Sequence, residues 1–516
     1  MKKIVLCFAL CVALLSVSCG KRDYRNLLPA DAFTVVSVNL ATLAEKSDAG
    51  EPTETLLYRQ IEEALGEDIP EDARRELLAL AADPEKSGLD LHSELFVFCT
   101  LDDVAAGRFM CGLLGKVRDR AAVREWLDWA GAAGQTVEEK GLTLARGILP
   151  YGYPEVVAFD DEALLLLFSS DPTSDIEAAA RRLFAQKRSE SLMHRPELAQ
   201  AFESGNDIVL AADYGRIFSQ GMAQMAMGMN SLPGMEFLAE MSYVLPINFE
   251  KGRIVSKVSL FFDSKEAEAQ YREFTSGAGK IDGGFLKSLP GGNLALMAWN
   301  MNGARVYAML QQVPMYSMML AMAPQVQTIL EAIDGDVAFA VHGLDAETDN
   351  PEVTLLATTA NPGIVKSILE LVTRAEEYHA GMYRLKLDAR SALYFGERDG
   401  RFYATTVPCM AASLAEGCAD FTDASAALPL FRGAYGAMAV DFDEIRQLLS
   451  LSRNAVSAED YAVAMELLQL FEKIEVRGET RDRGIVVVEM TDKERNAAAT
   501  IYSRIEEMCG RALAEE

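Results

Sequence analysis

Ile254-Val255-Ser256-Lys257-Val258-Ser259-Leu260-Phe261-Phe262 is an apolar, β-branched run that leads through Lys265-Glu266 into an alanine-containing helical stretch. Ile485-Val486-Val487-Val488-Glu489-Met490 leads through Lys493-Glu494 into another, at an offset of 228 positions. Such runs suit a pleated, half-buried strand. The same offset relates Ile208–Asp213 with Tyr214 to Gly436–Asp441 with Phe442. A further match, at an offset of 261, sets Leu28-Pro29 and the strand Phe33–Leu40 against Leu289-Pro290 and the strand Leu294–Met301. Two distant matches at one offset imply an internal duplication, with a period far longer than that of a solenoid repeat.

The recurring unit starts with a buried strand that ends in Asn or Asp, a side chain able to cap the helix that follows. A helical stretch, two strands and one more helix come next. In the first copy the two strands are Leu95–Leu101 and Phe109–Val117. The helix after them, 119–130, places Val123, Trp126, Leu127 and Ala130 on one face. In the second copy the strands are Val337–Leu344 and Val353–Thr359, with a helix after Asn361-Pro362. Each copy also carries an extra hairpin, turning at Asp160-Asp161-Glu162 and at Glu397–Gly400. Hairpins outnumber strand–helix–strand alternation. The fold expected is α+β: two tandem homologous halves, with largely antiparallel sheets each covered by helices on one face. The halves are 28–276 and 289–516, and the glycine-rich stretch 277–288 reads as the linker between them.

The N-terminus reads as a signal peptide over residues 1–18. Lys2 and Lys3 precede the apolar run Ile4–Leu15, and Ser16-Val17-Ser18 supplies small residues before Cys19. The run is short for a bilayer span. Cleavage before Cys19 would allow its acylation and leave 19–27 as a lipidated tether. Ser16 stands where such motifs usually have Leu, so an ordinary secretory signal is the alternative. Gly20 after the cysteine suits a lipoprotein sent to the outer membrane. Lys21 and Arg22 do not fit a surface-export signal, so a periplasm-facing body is preferred over a surface-exposed one.

Half of the 516 residues are apolar and 24% are charged, a globular composition. The formal net charge is −28, which repels phosphate backbones and excludes nucleic acid as a natural partner. The expected partners are the membrane, through the lipid, and an envelope protein, a glycan or an apolar ligand. After Cys19 the cysteines are Cys99, Cys111, Cys409, Cys418 and Cys509, which is not a disulfide framework. Cys99 and Cys111 lie on neighbouring strands, either facing each other across a hairpin or buried as free thiols.

The leader with its cysteine, the opening Leu28-Pro29-Ala30-Asp31-Ala32 and the strand Val35–Leu40 resemble an uncharacterised family of Bacteroidetes lipoproteins, a domain of unknown function. The resemblance implies an envelope address and an α+β body. It supplies no catalytic residues.

Signatures of chemistry are scarce. His92, His194, His342 and His379 are far apart and form no zinc-binding spacing; His342 reads as a polar residue at a strand end. Gly291-Gly292 precedes a strand, the wrong context for cradling phosphate, and no GxSxG elbow occurs. Asp160-Asp161-Glu162 offers paired carboxylates, but at a hairpin tip they read as a solvated turn. Neither a catalytic residue nor a cofactor is therefore expected. Methionine is the exception. Met222, Met225 and Met229 share one helical face, as do Met315, Met318, Met319 and Met322. Core filling is the ordinary use of such faces; an adaptable apolar groove is the functional one. The reading that results is a lipid-anchored envelope protein that binds or scaffolds. The alternatives are a carboxylate-dependent glycan hydrolase and an apolar-ligand carrier using the methionine faces.

Overall fold

The structure is a computed structural model. It describes residues 22–515 except 56–57, 60, 63–70, 104–107, 130–135, 147–153, 220–235, 313, 346–349, 361–362, 418–426 and 452–456. The chain packs as two compact units: residues up to 40 together with 60–200, and 41–59 together with 201–516.

The first unit holds β1 (Ala32–Val38), β2 (Leu95–Asp103), β3 (Arg108–Lys116), β4 (Val137–Glu139), β5 (Leu142–Ala145), β6 (Glu155–Phe159) and β7 (Ala163–Ser169). Every pairing among them is antiparallel, in the order β1-β2-β3-β7-β6-β5-β4. On β2, Phe96, Phe98 and Thr100 point into the core. Val97 points the other way and is 46% exposed, with Leu113 opposite it on β3. These strands therefore read as continuous apolar runs without the usual alternation. Cys99 and Cys111 are cross-strand partners and form a disulfide, with Cα atoms 4.2 Å apart.

Two helices line the core side of this unit. In α1 (Arg120–Trp129) the Asp119 carboxylate accepts from the backbone of Ala121 and Ala122, and Val123 and Leu127 are buried. In α2 (Ile176–Ala185) Asp175 caps the N-terminus by accepting from Ala178, and Ala180 and Leu183 are buried. The expected tether is shorter than 19–27. Tyr24–Leu27 forms a helical turn whose Tyr24 and Leu27 side chains are buried, and Tyr24 donates to the Glu94 carbonyl at 2.8 Å. Apolar side chains so close to a core are drawn into it. Asp160-Asp161-Glu162 is a hairpin turn, as expected, and its acids are engaged: Asp160 pairs with Arg22 and Asp161 with Arg120.

The second unit is one long antiparallel sheet. Its strands are β8 (Ile208–Asp213), β9 (Met241–Glu250), β10 (Arg253–Phe262), β11 (Ala278–Gly279), β12 (Ala295–Asn302), β13 (Ile333–Leu344), β14 (Pro351–Thr359), β15 (Glu376–His379), β16 (Met382–Lys386), β17 (Ala392–Arg398), β18 (Arg401–Thr405), β19 (Gly436–Asp441), β20 (Phe471–Gly478) and β21 (Arg483–Met490). The order is β8-β9-β10-β21-β20-β19-β12-β13-β14-β18-β17-β16-β15, with β11 beside the end of β12. The run β12-β13-β14-β18-β17-β16-β15 repeats the connectivity of the first unit. Asp399 and Gly400, both at positive φ, make the tight turn between β17 and β18 that an Asp-Gly pair favours.

The stretch 277–288, read from its glycines as a linker, is folded into this unit. Ile281, Phe285 and Leu286 are buried in a cluster with Leu296 and Phe431. Asp336 on β13, 7% exposed, accepts from the backbone N–H of Asp282 and Gly283 and from Asn300 Nδ2 at 2.8–3.1 Å. Gly283 serves a φ of +84° there, which suits glycine. The glycines shape a docked corner, and its apolar residues decide where it goes.

Candidate ligand-binding site

A cavity of about 910 Å³ lies within the second unit. Its walls come from both sides of the folded stretch 277–288. One wall is α3 (Lys265–Phe274), started by Ser264, whose hydroxyl accepts from the backbone of Ala267 at 3.1 Å. The last turn of α3 turns Gln270, Glu273 and Phe274 to the cavity. Phe274 is anchored from behind by Phe237, at a centroid distance of 5.3 Å. Glu236, beside Phe237, adds a second carboxylate to the lining.

The floor is the end of β12: Trp299, Asn300 and Met301. Asn300 is fixed by its donation to Asp336 at 2.9 Å. The opposite wall is α4 (Gly303–Gln312), whose N-terminus is closed by Asn302 accepting from the backbone of Arg305 at 3.0 Å. Spacings of three and four residues are neighbours on a helix face, and Arg305, Val306, Met309 and Gln312 share the cavity side. Arg305 Nη1 donates to Ser276 Oγ at 2.7 Å. Tyr435 completes the lining, with Lys280 and Arg481 over its ring at 5.8 and 5.5 Å.

The arrangement is chemically simple. Aromatic and thioether side chains share the lining with the carboxylates Glu236 and Glu273, the amides Gln270, Asn300 and Gln312, the hydroxyls of Thr275 and Ser276, and Arg305. This is the pattern of a small-molecule site, and the volume falls in the usual range of about 300–1,000 Å³.

The methionines singled out in the sequence stand elsewhere. Met222, Met225 and Met229 lie outside the described residues, as does the Met315 side chain. Met318, Met319 and Met322 are on α5 (Pro314–Met322), at 65%, 58% and 82% exposure, and do not line the cavity. The cavity uses Met301 and Met309 instead. No charged residue occurs between Arg305 and Glu331. That break in an otherwise acidic sequence was the available signal for this part of the site. Cys19 also lies outside the described residues.

His342, on β13, stands apart from the cavity. Its Nδ1 is 2.7 Å from Asn293 Oδ1 and its Nε2 is 2.8 Å from Thr354 Oγ1, which in turn meets Thr405 Oγ1 at 2.8 Å. Burial lowers its pKa, since the charged ring would lose water. Among the described residues, no group of three or more His, Cys, Asp or Glu side chains is placed to hold a metal ion.

The lining presents both apolar and charged groups to the cavity. Residues 24–497 match the family described as a domain of unknown function, DUF4836, and the chain belongs to that family. No curated protein matches it. Among solved structures, crystal form IV of TP0453 aligns at a TM-score of 0.27 and 11% identity, covering 46% of this chain and 78% of that one. Crystal form I of TP0453 gives 0.26 and 12%, covering 48% and 81%.

Proposed function

We propose that this chain is a lipid-anchored cell-envelope protein that binds a small, largely apolar molecule in the cavity of its second unit, without chemical conversion. The observation that carries the reading is the cavity itself, lined by Phe274, Trp299, Met301, Met309 and Tyr435. Such a lining removes hydrocarbon surface from water, at about 25 cal/mol per Å² of apolar area buried.

The envelope address rests on the leader and on Cys19 as the acylated residue, with an outer-membrane, periplasm-facing site preferred. The Cys99–Cys111 disulfide supports it, because such bonds persist in oxidising compartments.

We also read the body as two homologous tandem halves. In support, β8 aligns with β19 and β10 with β21 at an offset of 228, while the registers place β9 against β20 at 231. Likewise Cys99 opposite Cys111 occupies the place of Val341 opposite Val353.

The test is native mass spectrometry of the mature protein purified without detergent from an envelope extract. A bound mass released on unfolding is expected. A protein that is empty and also takes up no added apolar molecule would refute the binding role. Cys19→Ala tests the address separately, by moving the protein out of the membrane fraction.

A further inference from the structure

Two opposite charges line one cavity without pairing. Glu273 and Arg305 both face it, yet neither forms an ion pair with the other or with any described residue. Their neighbours behave differently: Arg272, next to Glu273, pairs with Glu268 on the same helix. The only side-chain partner of Arg305 among the described residues is the neutral Ser276 hydroxyl, bound through Nη1.

Each charge also sits at the wrong end of its helix. Glu273 is in the last turn of α3, where the backbone carbonyls already present partial negative charge. Arg305 is in the first turn of α4, where the free N–H groups present partial positive charge. Both placements oppose helix stability. Together they give the cavity two poles. The negative pole comprises Glu273 and the carbonyl end of α3. The positive pole comprises Arg305 and the N–H end of α4. Trp299, Met301 and Met309 give the same cavity its apolar surface.

Resting on the binding role argued above, we infer that the cavity takes an amphiphile with a zwitterionic headgroup. Its cationic group faces Glu273, its anionic group faces Arg305, and its hydrocarbon lies on Trp299 and Met309. A purely anionic or cationic amphiphile would leave one pole unmatched and repelled by the other end of its site. A zwitterion satisfies both at once. A lipid headgroup and a free phosphoethanolamine-like metabolite share this chemistry; the apolar floor assigns the ligand to the lipid-like source.

The experiment measures equilibrium binding to the mature protein of five probes below their aggregation concentrations: dodecylphosphoethanolamine, dodecanoate, dodecyltrimethylammonium, dodecyl maltoside and phosphoethanolamine alone. Dodecylphosphoethanolamine is expected to bind at least ten-fold tighter than the other four. Arg305→Gln should weaken it about ten-fold and leave dodecyltrimethylammonium no weaker. Glu273→Gln should weaken it similarly and leave dodecanoate no weaker. Both substitutions are exposed and helix-compatible, and a circular dichroism melt checks that each variant folds. Equal binding of all four dodecyl probes would overturn the headgroup inference while the apolar cavity stands. Equal binding of phosphoethanolamine alone would overturn the amphiphile assignment. Binding of none would overturn the cavity reading itself.

Discussion

Lys257 of β10 stands directly opposite Ile485 of β21, and the two residues are 228 positions apart, the same offset that relates Asp213 to Asp441. Under the duplication, each is therefore paired with its own counterpart, as at a local two-fold axis. Pairing then runs outward on both sides, from Ser256 with Val486 to Arg253 with Glu489, and from Val258 with Gly484 to Ser259 with Arg483. The β10–β21 ladder joins the two proposed halves into the single sheet of the second unit.

That ladder is accordingly a sensitive point. Val487 is in the middle of β21, with Val255 on one side and Glu475 on the other. Proline there removes a ladder N–H and does not fit an interior strand. Val487→Pro should destabilise the second unit by about 1–3 kcal/mol, the cost of an acceptor left unpaired in the ladder. Urea unfolding followed through Trp299 checks it; an unchanged midpoint would contradict the topology.

The disulfide anchors the other unit. Cys99 and Cys111 are 12 positions apart, so the bond closes a short loop on a hairpin that is already paired. Reducing it, or replacing both cysteines by Ala, should cost about 2–3 kcal/mol. Differential scanning calorimetry with and without reductant should show one transition lowered and the transition of the second unit unmoved.

Asp336 links the folded corner 282–283 to Asn300 in the cavity floor. Asp336→Ala would leave two backbone N–H groups and the Asn300 amide without their acceptor. The expected loss is about 2–4 kcal/mol of stability, with weaker ligand binding as the floor loosens. Hydrogen exchange should rise at 281–286 and at 300. Unchanged protection there would contradict the role given to this carboxylate.

His342 sets a pH dependence. Its folded pKa is lowered by burial below the ordinary value near 6.5, so between the two the unfolded chain binds more protons. Its contribution is present above about pH 6.5 and is lost as pH falls through the depressed value. Urea midpoints between pH 4.5 and 7.5 should therefore rise with pH more steeply in the wild type than in His342→Gln. Parallel curves would contradict a buried neutral ring.

How much of this was legible in the sequence depended on the range of the interactions. The turns at Asp160-Asp161-Glu162 and Asp399-Gly400, the strand pair carrying Cys99 and Cys111 and the helix buried through Val123 and Leu127 all follow from local patterning. The corner 277–288 was misread because its glycines outweighed Ile281, Phe285 and Leu286, whose burial depends on Leu296 and Phe431 far along the chain. Tyr24 and Leu27 were lost to the tether in the same way. The cavity was not legible, since Glu273, Trp299, Arg305 and Tyr435 meet only through the sheet. Of the methionines singled out in the sequence, Met318, Met319 and Met322 are exposed on α5, while Met301 and Met309 line the cavity.

The most direct measurement uses a mature variant carrying Trp126→Phe and Trp129→Phe, so that Trp299 is the sole tryptophan, titrated with the uncharged apolar probe N-phenyl-1-naphthylamine. Energy transfer from Trp299 should saturate at one probe per chain. It should weaken at least ten-fold in a filled variant, in which Val306→Phe, Ala308→Phe and Met309→Phe together crowd the cavity wall of α4. Transfer that never saturates, or that saturates equally in the filled variant, would contradict a ligand site against Trp299.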